Sequence, residues 1–176
     1  MKPRLILLTF AIVFLLTACL WGDALKQGTE TPPVGIEHTS TPDELTRLSS
    51  LYPCIAGKTQ LEHAYVLKVF DGDSILVEMG GRQVEVRYIG IDAPEFDGAT
   101  WSAAERSADV NRSLVLFKTI SMVRDVSETD RYDRLLRYVF VGDVFVNHEL
   151  VRTGAAEAKA YMPDIACQGL LFQAMP

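Results

Sequence analysis

The stretch that decides the fold runs from Asp71 to Glu95 and reads DGDSILVEMGGRQVEVRYIGIDAPE. Apolar and polar residues alternate on both sides of Gly80-Gly81, which is typical of two neighbouring strands. The Gly-Gly pair favours a hairpin turn between them, because mirror-image turns need positive φ angles. An acidic turn, Asp71-Gly72-Asp73, precedes the first strand, and a second acidic corner, Asp92-Ala93-Pro94-Glu95, follows the second. The sequence therefore predicts that carboxylates gather where these strands end.

Arg87 lies on the strand that leads into the second acidic corner. Carboxylates and a guanidinium presented together by a rigid sheet suit a divalent cation and a phosphate, as in a nuclease-like site. Taken alone, the acidic tripeptide is more often a polar hairpin turn. The position of Asp92 in register with Asp73 is what favours a metal site.

The rest of the domain is predicted to be mainly β. Strands are expected over 62–70, 74–79, 82–91 and 118–123, with a last hairpin over 135–145, and helices over 101–117 and 146–152. Five strands with a helix between the third and the fourth suit the OB-fold, a small Greek-key barrel of the α+β class. A last helix is expected to begin at Met162-Pro163-Asp164 and to be truncated at Pro176. The predicted domain covers residues 61–176.

The N-terminus predicts export. Lys2 and Arg4 precede an apolar run that is shorter than the roughly 20 residues of a membrane span, and small residues follow it, as in a secretory signal. The end of the run, LTAC at 16–19, resembles a bacterial lipoprotein signal in which Cys19 is lipidated. Residues 1–18 are thus expected to be a signal peptide, and the protein to be extracytoplasmic, lipid-anchored to the bacterial cell membrane or secreted. A plain cleaved signal and an uncleaved anchor are the alternatives.

Residues 19–60 are rich in Gly, Ser, Thr and Pro and predict a flexible tether, with a short helix over 43–51. If Cys19 carries lipid, Cys54 and Cys167 remain as a pair in an oxidising compartment, where disulfides persist. We therefore expect a Cys54–Cys167 disulfide, the alternative being two free thiols.

The net charge of −6 limits the kinds of nucleic-acid protein that this chain can be. Tight, salt-resistant binding requires many basic residues to neutralise phosphates, so an architectural DNA-binding role is disfavoured. An enzyme needs only local positive charge and must release its product, so the charge does not exclude one.

The domain resembles the staphylococcal (thermo)nuclease-like family over about Ala64 to Asp164. Four blocks in the family's order and spacing carry the resemblance: VFDGDSILVE at 69–78, VRYIGIDAPE at 86–95, DRYDRLLRYVF at 130–140 and VNHELVRTGAA at 146–156. Three departures stand out, and the truncated last helix is one of them. Asp133 replaces a glycine that the family usually has, and the loop from Phe96 to Trp101 is short and has no lysine.

The resemblance implies a role for several residues. It identifies Asp73 and Asp92 as Ca²⁺ ligands, together with the backbone carbonyl of Ala93, and oxygen donors are what Ca²⁺ takes. Glu95 matches the residue that activates the attacking water, and Arg87 and Arg134 match the arginines that hold the scissile phosphate.

Three further positions match the family's nucleotide site. Arg131 and Tyr132 correspond to its basic and aromatic lining, and Tyr161 to a second tyrosine, although ordinary packing is an equal reading for Tyr161. The resemblance therefore implies a monomeric, calcium-dependent nuclease that cleaves DNA and RNA, single strands favoured, with little sequence specificity and gives 3′-phosphate products. The alternative is a non-catalytic, membrane-tethered OB-fold module that only binds nucleic acid.

Overall fold

A five-stranded barrel forms the centre of the chain in the computed structural model, which describes residues 42–176. The predicted signal peptide, Cys19 and the tether up to residue 41 lie outside the described residues. The strands are β1 (Glu62–Val69), β2 (Ser74–Met79), β3 (Arg82–Tyr88), β4 (Ile91–Asp92), β5 (Thr119–Val123), β6 (Leu135–Val141), β7 (Val144–Phe145) and β8 (Glu157–Ala158). The helices are α1 (Pro42–Leu51), α2 (Trp101–Val115), α3 (Val146–Arg152) and α4 (Gln168–Gln173).

The main sheet has the order β3-β2-β1-β5-β6-β7 and closes on itself through a parallel pairing of β3 with β6. In this closing pair, Val86 lies opposite Leu135 and Tyr88 lies opposite Arg137. All other pairings in the barrel are antiparallel. A closed barrel of β1, β2, β3, β5 and β6 with accessory helices confirms the predicted mainly β OB-fold.

The β2–β3 hairpin has the predicted turn. Gly80 and Gly81 have φ angles of 57° and 73°, and Met79 pairs with Arg82 across them. Inward-facing residues of the barrel strands are fully buried, including Val66, Val77, Val86, Ile120 and Val139. Each such side chain stabilises the fold by about 1.5–3 kcal/mol relative to an exposed one.

The third strand is shorter than predicted. It ends at Tyr88 instead of Ile91, because Gly90 takes a φ angle of 80° and turns the chain out of the barrel. The next two residues form β4, which pairs with β8 in a separate ladder where Asp92 lies opposite Glu157. This small ladder brings residues near 160 to the acidic corner.

The last helix begins at Gln168, six residues after the predicted start at Met162. Asp164 does not cap a helix there. Its buried carboxylate accepts hydrogen bonds from the backbone N–H groups of Val126 and Ser127, at 2.9 and 2.7 Å. The segment before α4 therefore folds as a turn that supports the loop between β5 and β6.

The packed part of the chain begins earlier than the predicted boundary at residue 61. Leu48 of α1 and Ile55 are fully buried in the core, and Cys54 forms a disulfide with Cys167. Closing a loop of this length stabilises a fold by about 4–5 kcal/mol in the chain-entropy model. Among the described residues, no helix is long and apolar enough to cross a membrane.

Candidate active site

The acidic turn before β2 is clamped from two sides. The Asp71 carboxylate accepts hydrogen bonds from the Asp73 backbone N–H at 2.9 Å and from the Ser74 hydroxyl at 2.6 Å. Gly72 lies against α2, and a Cβ at this position would come within 1.8 Å of the Ser107 hydroxyl oxygen. Only glycine permits this close approach of the turn to α2.

Asp73, Arg87 and Asp92 form one ion-paired group, which we call the carboxylate edge. The Asp73 carboxylate is buried, pairs with Arg87 Nη1, and accepts the Ala93 backbone N–H at 2.6 Å. Arg87 Nη2 donates to Asp92 Oδ1 at 3.0 Å. The two predicted metal-binding carboxylates therefore face a common positive group, which comes from a residue predicted to hold phosphate.

Asp92 receives two further donors from the chain that follows β8. Lys159 Nζ donates to Oδ2 at 2.8 Å, and the Tyr161 hydroxyl donates to Oδ1 at 3.1 Å. Partial burial alone would raise the pKa of Asp92, but these two hydrogen bonds and the charges of Lys159 and Arg87 lower it. The Asp92 carboxylate is thus held in its charged form.

The second predicted arginine belongs to a short loop, Asp130–Arg134, which we call the aromatic loop. Arg134 Nε donates to Asp130 Oδ2 at 2.8 Å. The exposed Tyr132 ring is covered by two guanidiniums, those of Arg131 at 4.7 Å and Arg134 at 5.5 Å from its centroid. Such cation–π contacts organise charge and an aromatic face together on the surface.

Asp130 holds the aromatic loop in shape. Its Oδ1 accepts the backbone N–H groups of Tyr132 at 2.8 Å and Arg134 at 3.1 Å. Burial alone would raise the pKa of Asp130, but these backbone hydrogen bonds and the Arg134 side chain lower it. Asp133 adopts a φ angle of 63°, and its side chain is exposed. The positive φ is a physical reason for a glycine at this position, since only a few other residues, including Asp, tolerate it.

A cleft of about 610 Å³ lies between the carboxylate edge and the aromatic loop. Five of the predicted site residues line it: Arg87, Arg131, Tyr132, Arg134 and Tyr161. Asp73 and Asp92 do not line the cleft but are bonded to Arg87 at its edge. The structure therefore brings together positive charge and aromatic surface, the two features that a nucleic-acid strand needs.

Glu95 is exposed on the loop after β4 and does not line the cleft. Its side chain has no hydrogen bond or ion pair within residues 42–176, but its backbone carbonyl accepts the Thr100 hydroxyl at 2.6 Å. Beside it, the exposed rings of Phe96 and Trp101 pack edge to face with centroids 5.0 Å apart. The short loop thus presents aromatic surface where the sequence has no lysine.

The donor set fits a hard cation such as Ca²⁺. The Asp73 and Asp92 carboxylates both contact Arg87, and with the backbone carbonyl of Ala93 they make a set in which every candidate ligand is an oxygen. No group of three or more His, Cys, Asp or Glu residues suited to a metal occurs in the described part of the chain. A cation here would therefore rely on two acidic side chains, the Ala93 carbonyl and water.

Several residues that shape the site were not identified from the sequence. Asp130 carries a weak signal, because it stands four residues before Arg134 in one loop. Ser107 and Asn111 lie on α2, and Asn111 Nδ2 donates to the Asp71 carbonyl at 2.9 Å. Lys159 has no local signal at all, since it reaches Asp92 only through the β4–β8 ladder.

Comparisons with known proteins agree with this fold and site. The family model described as staphylococcal nuclease homologue matches residues 85–172. A thermonuclease of Staphylococcus hyicus is 33% identical over 112 residues, which is 62% of this chain and 66% of that protein. A thermonuclease of Staphylococcus intermedius is 30% identical over 116 residues, covering 64% and 69%. An uncharacterized endonuclease of Escherichia coli O157:H7 is 39% identical over 97 residues, covering 53% and 59%.

The closed barrel with a basic and aromatic cleft defines the chain as an OB-fold protein with a site suited to nucleic acid. The chain belongs to the staphylococcal nuclease homologue family. It spans about 59–69% of the length of the three relatives named above.

Proposed function

We propose that this chain is a calcium-dependent nuclease that hydrolyses phosphodiester bonds of DNA and RNA with little sequence specificity. The observation that carries the proposal is that Arg87 and Arg134, from a strand and a loop 47 positions apart in the sequence, line the same cleft. Two guanidiniums that converge on one space suit a phosphate, because each can donate two parallel hydrogen bonds to its oxygens.

In the proposed reaction, Glu95 accepts a proton from a water molecule as the water oxygen attacks phosphorus in line. A new P–O bond forms, and the bond to the 5′ oxygen of the next nucleotide breaks, which leaves a 3′-phosphate. Arg87 and Arg134 stabilise the negative charge that grows on the phosphate oxygens. The proton on the leaving oxygen comes from solvent.

Asp73, Asp92 and the Ala93 carbonyl are the groups that would hold Ca²⁺. When bound, the cation supplies positive charge that offsets the charge on the phosphate. Arg87 pairs with both carboxylates and also lines the cleft. It can therefore orient the cation ligands and contact the phosphate.

The exposed rings of Tyr132 and Tyr161 support binding of single strands. Aromatic faces stack on any base, at about 1–3 kcal/mol per base, which gives affinity with little sequence preference. Arg131 lies over the Tyr132 ring and adds a positive charge beside the stacking surface.

The proposed location is outside the cytoplasm, with Cys19 lipidated and the protein monomeric. The Cys54–Cys167 disulfide supports the location outside the cytoplasm, since disulfides persist in oxidising compartments. Metabolic labelling with a radioactive fatty acid tests the anchor. Label is expected in the wild type and not in Cys19→Ser, and label in both would refute lipidation at Cys19.

The activity is tested by the cleavage of denatured, fluorescently labelled DNA and RNA by the full-length chain. Wild type is compared with Glu95→Gln and with Glu105→Gln, which changes another exposed glutamate, on α2. We expect cleavage with Ca²⁺ and none with chelator, and a rate about 10²–10⁴-fold lower for Glu95→Gln only. Product ends that lose phosphate to a 3′-phosphatase would show the predicted bond cleavage.

A specific observation favours the alternative, a binding module. Glu95, the proposed base, does not line the cleft that Arg87 and Arg134 line. Folded protein that binds single strands without cleaving them in any tested cation would show that the alternative holds. A folded protein that does neither would refute both.

A further inference from the structure

Lys159 is the one ammonium within the described residues that contacts the carboxylate edge. The β4–β8 ladder sets its position, and its backbone N–H donates to the Gly90 carbonyl at 2.9 Å. The side chain then crosses to Asp92, where Nζ lies 2.8 Å from Oδ2.

The hydrogen bonds at Asp92 leave neither of its oxygens without a donor. Oδ1 accepts from Arg87 and Tyr161, and Oδ2 accepts from Lys159. A cation that uses Asp92 as a ligand must displace or share at least one of these donors. Of the two charged donors, Lys159 is the more easily displaced, because its side chain is half exposed whereas that of Arg87 is mostly buried.

The charges of the carboxylate edge and Lys159, which we call the corner, also indicate that Lys159 opposes cation binding. Asp73 and Asp92 contribute two negative charges, and Arg87 and Lys159 contribute two positive charges, so the four groups together are neutral. Without Lys159 the corner would carry a charge of −1. A divalent cation is attracted more strongly to the negative corner than to the neutral one.

We infer that Lys159 competes with the divalent cation for Asp92 and thereby sets the affinity of the site for Ca²⁺. The inference rests on the proposed function, because it takes Asp92 as a cation ligand. In this inference Lys159 is an internal counter-ion, which pairs with Asp92 until a cation replaces it. The released ammonium then faces solvent beside the Tyr161 ring, from which Nζ now lies 5.4 Å.

The test is isothermal titration of Ca²⁺ into the full-length protein at low ionic strength, with no nucleic acid present. Lys159→Gln removes the charge, and Lys159→Arg keeps it. Lys118→Gln is the matched control, because it removes one lysine charge just after the C-terminal end of α2, where Nζ donates to the Ser113 and Leu114 carbonyls. Thermal unfolding of each variant checks that it is folded.

We expect Lys159→Gln to bind Ca²⁺ about three- to tenfold more tightly than wild type, as the loss of one nearby charge in partly exposed surroundings implies. Lys159→Arg and Lys118→Gln should stay within about twofold of wild type. Unchanged affinity in Lys159→Gln would overturn the competition. Weaker binding would also overturn it, and would show that Lys159 orients Asp92 for the cation.

Asp92→Asn separates this inference from the proposed cation site. If wild type binds Ca²⁺ and Asp92→Asn does not, the site exists, and the Lys159 variants alone decide the inference. If no variant shows binding that depends on Asp92, the cation site fails and the competition fails with it. Activity is not needed for either conclusion.

Discussion

The two arginines that line the cleft are held in opposite ways. Arg87 lies on a barrel strand, and its side chain is 15% exposed and bonds to two carboxylates and to the Ile91 carbonyl. Arg134 is 26% exposed and pairs with one carboxylate, that of Asp130, four residues earlier in the same loop. Arg87 depends on contacts between strands, whereas Arg134 depends on its own loop.

Because of this difference, the two arginines should contribute unequally to the stability of the fold although both are proposed to act in catalysis. The carboxylate edge joins the turn before β2 to β3 and β4, and Lys159 ties it to the segment after β8, so a defect there weakens several elements at once. The aromatic loop is bonded mainly to itself, so a defect there alters the surface of the cleft and leaves the barrel intact. Equal losses of activity should therefore accompany unequal losses of stability.

The largest effect is expected for Arg87→Met. The change leaves the Asp73 carboxylate, which is 3% exposed, without its charged partner. Removing one partner of a buried ion pair costs about 3–5 kcal/mol of stability. Urea unfolding followed by circular dichroism measures this loss, and Asp73→Asn in the same background should recover part of it.

Arg134→Met is the matched control for that measurement. Its pair with Asp130 is more exposed and local, so we expect a loss of about 1 kcal/mol or less. Both variants should nevertheless lower the cleavage rate, by about 10²–10³-fold, if both guanidiniums hold the phosphate. Equal destabilisation by the two variants would contradict the comparison.

The next effect concerns the aromatic loop alone. Tyr132→Leu removes the exposed ring on which a base is proposed to stack, and should weaken binding of a single-stranded oligonucleotide by about 1–3 kcal/mol. Fluorescence anisotropy in a Glu95→Gln background measures affinity without cleavage. Tyr132→Phe keeps the aromatic face and should bind nearly as wild type does. A leucine variant with wild-type affinity would remove Tyr132 from the binding surface.

Local patterns made much of the fold predictable from the sequence. The β2–β3 hairpin follows from alternation and from Gly80-Gly81, and the bounds of β2 and α3 agree with the predicted ranges. The resemblance placed Arg87, Arg131, Tyr132, Arg134 and Tyr161 in one site, and the structure brings them to one cleft. The roles that these residues play remain predictions.

What could not be predicted depends on contacts between distant segments. The contact of Lys159 with Asp92 requires the β4–β8 ladder, whose strands have two residues each and carry no periodic signal. The predicted helix does not begin at Asp164, because the Asp164 carboxylate instead accepts hydrogen bonds from the backbone N–H groups of Val126 and Ser127. Burial of Leu48 likewise depends on the barrel against which α1 packs.

A smaller effect, dependent on pH, is expected for Asp130→Asn. The pKa of Asp130 is below its ordinary value of 3.8 in the folded protein, so the charged carboxylate stabilises the loop at neutral pH. We expect Asp130→Asn to be less stable than wild type by about 1–2 kcal/mol at pH 7, because weaker hydrogen bonds replace charged ones.

The sign of the pH dependence follows from the direction of that shift. When folding lowers the pKa of a carboxyl group, its charged form stabilises the folded state. This stabilisation is complete at pH values above the pKa of the unfolded state, and it is lost as the pH falls through the pKa of the folded state. Urea unfolding of both proteins between about pH 3 and 7 should therefore show a difference that shrinks below about pH 4. A difference that stays constant over this range would mean that the charge of Asp130 does not stabilise the loop.

The smallest effect tests the backbone of the aromatic loop at Asp133. Its φ angle of 63° is strained for most residues, so Asp133→Ala should lose about 1 kcal/mol of stability, whereas Asp133→Gly should lose little or gain up to that amount. Asparagine also tolerates a positive φ angle, so Asp133→Asn removes only the charge. If the exposed acid repels substrate, Asn and Gly should both bind a single strand more tightly than wild type in the Glu95→Gln background. If only Asp133→Gly changes binding, the cause is the flexibility of the loop. The conformation of the aromatic loop, which its own hydrogen bonds determine, would then control substrate binding as well as local stability.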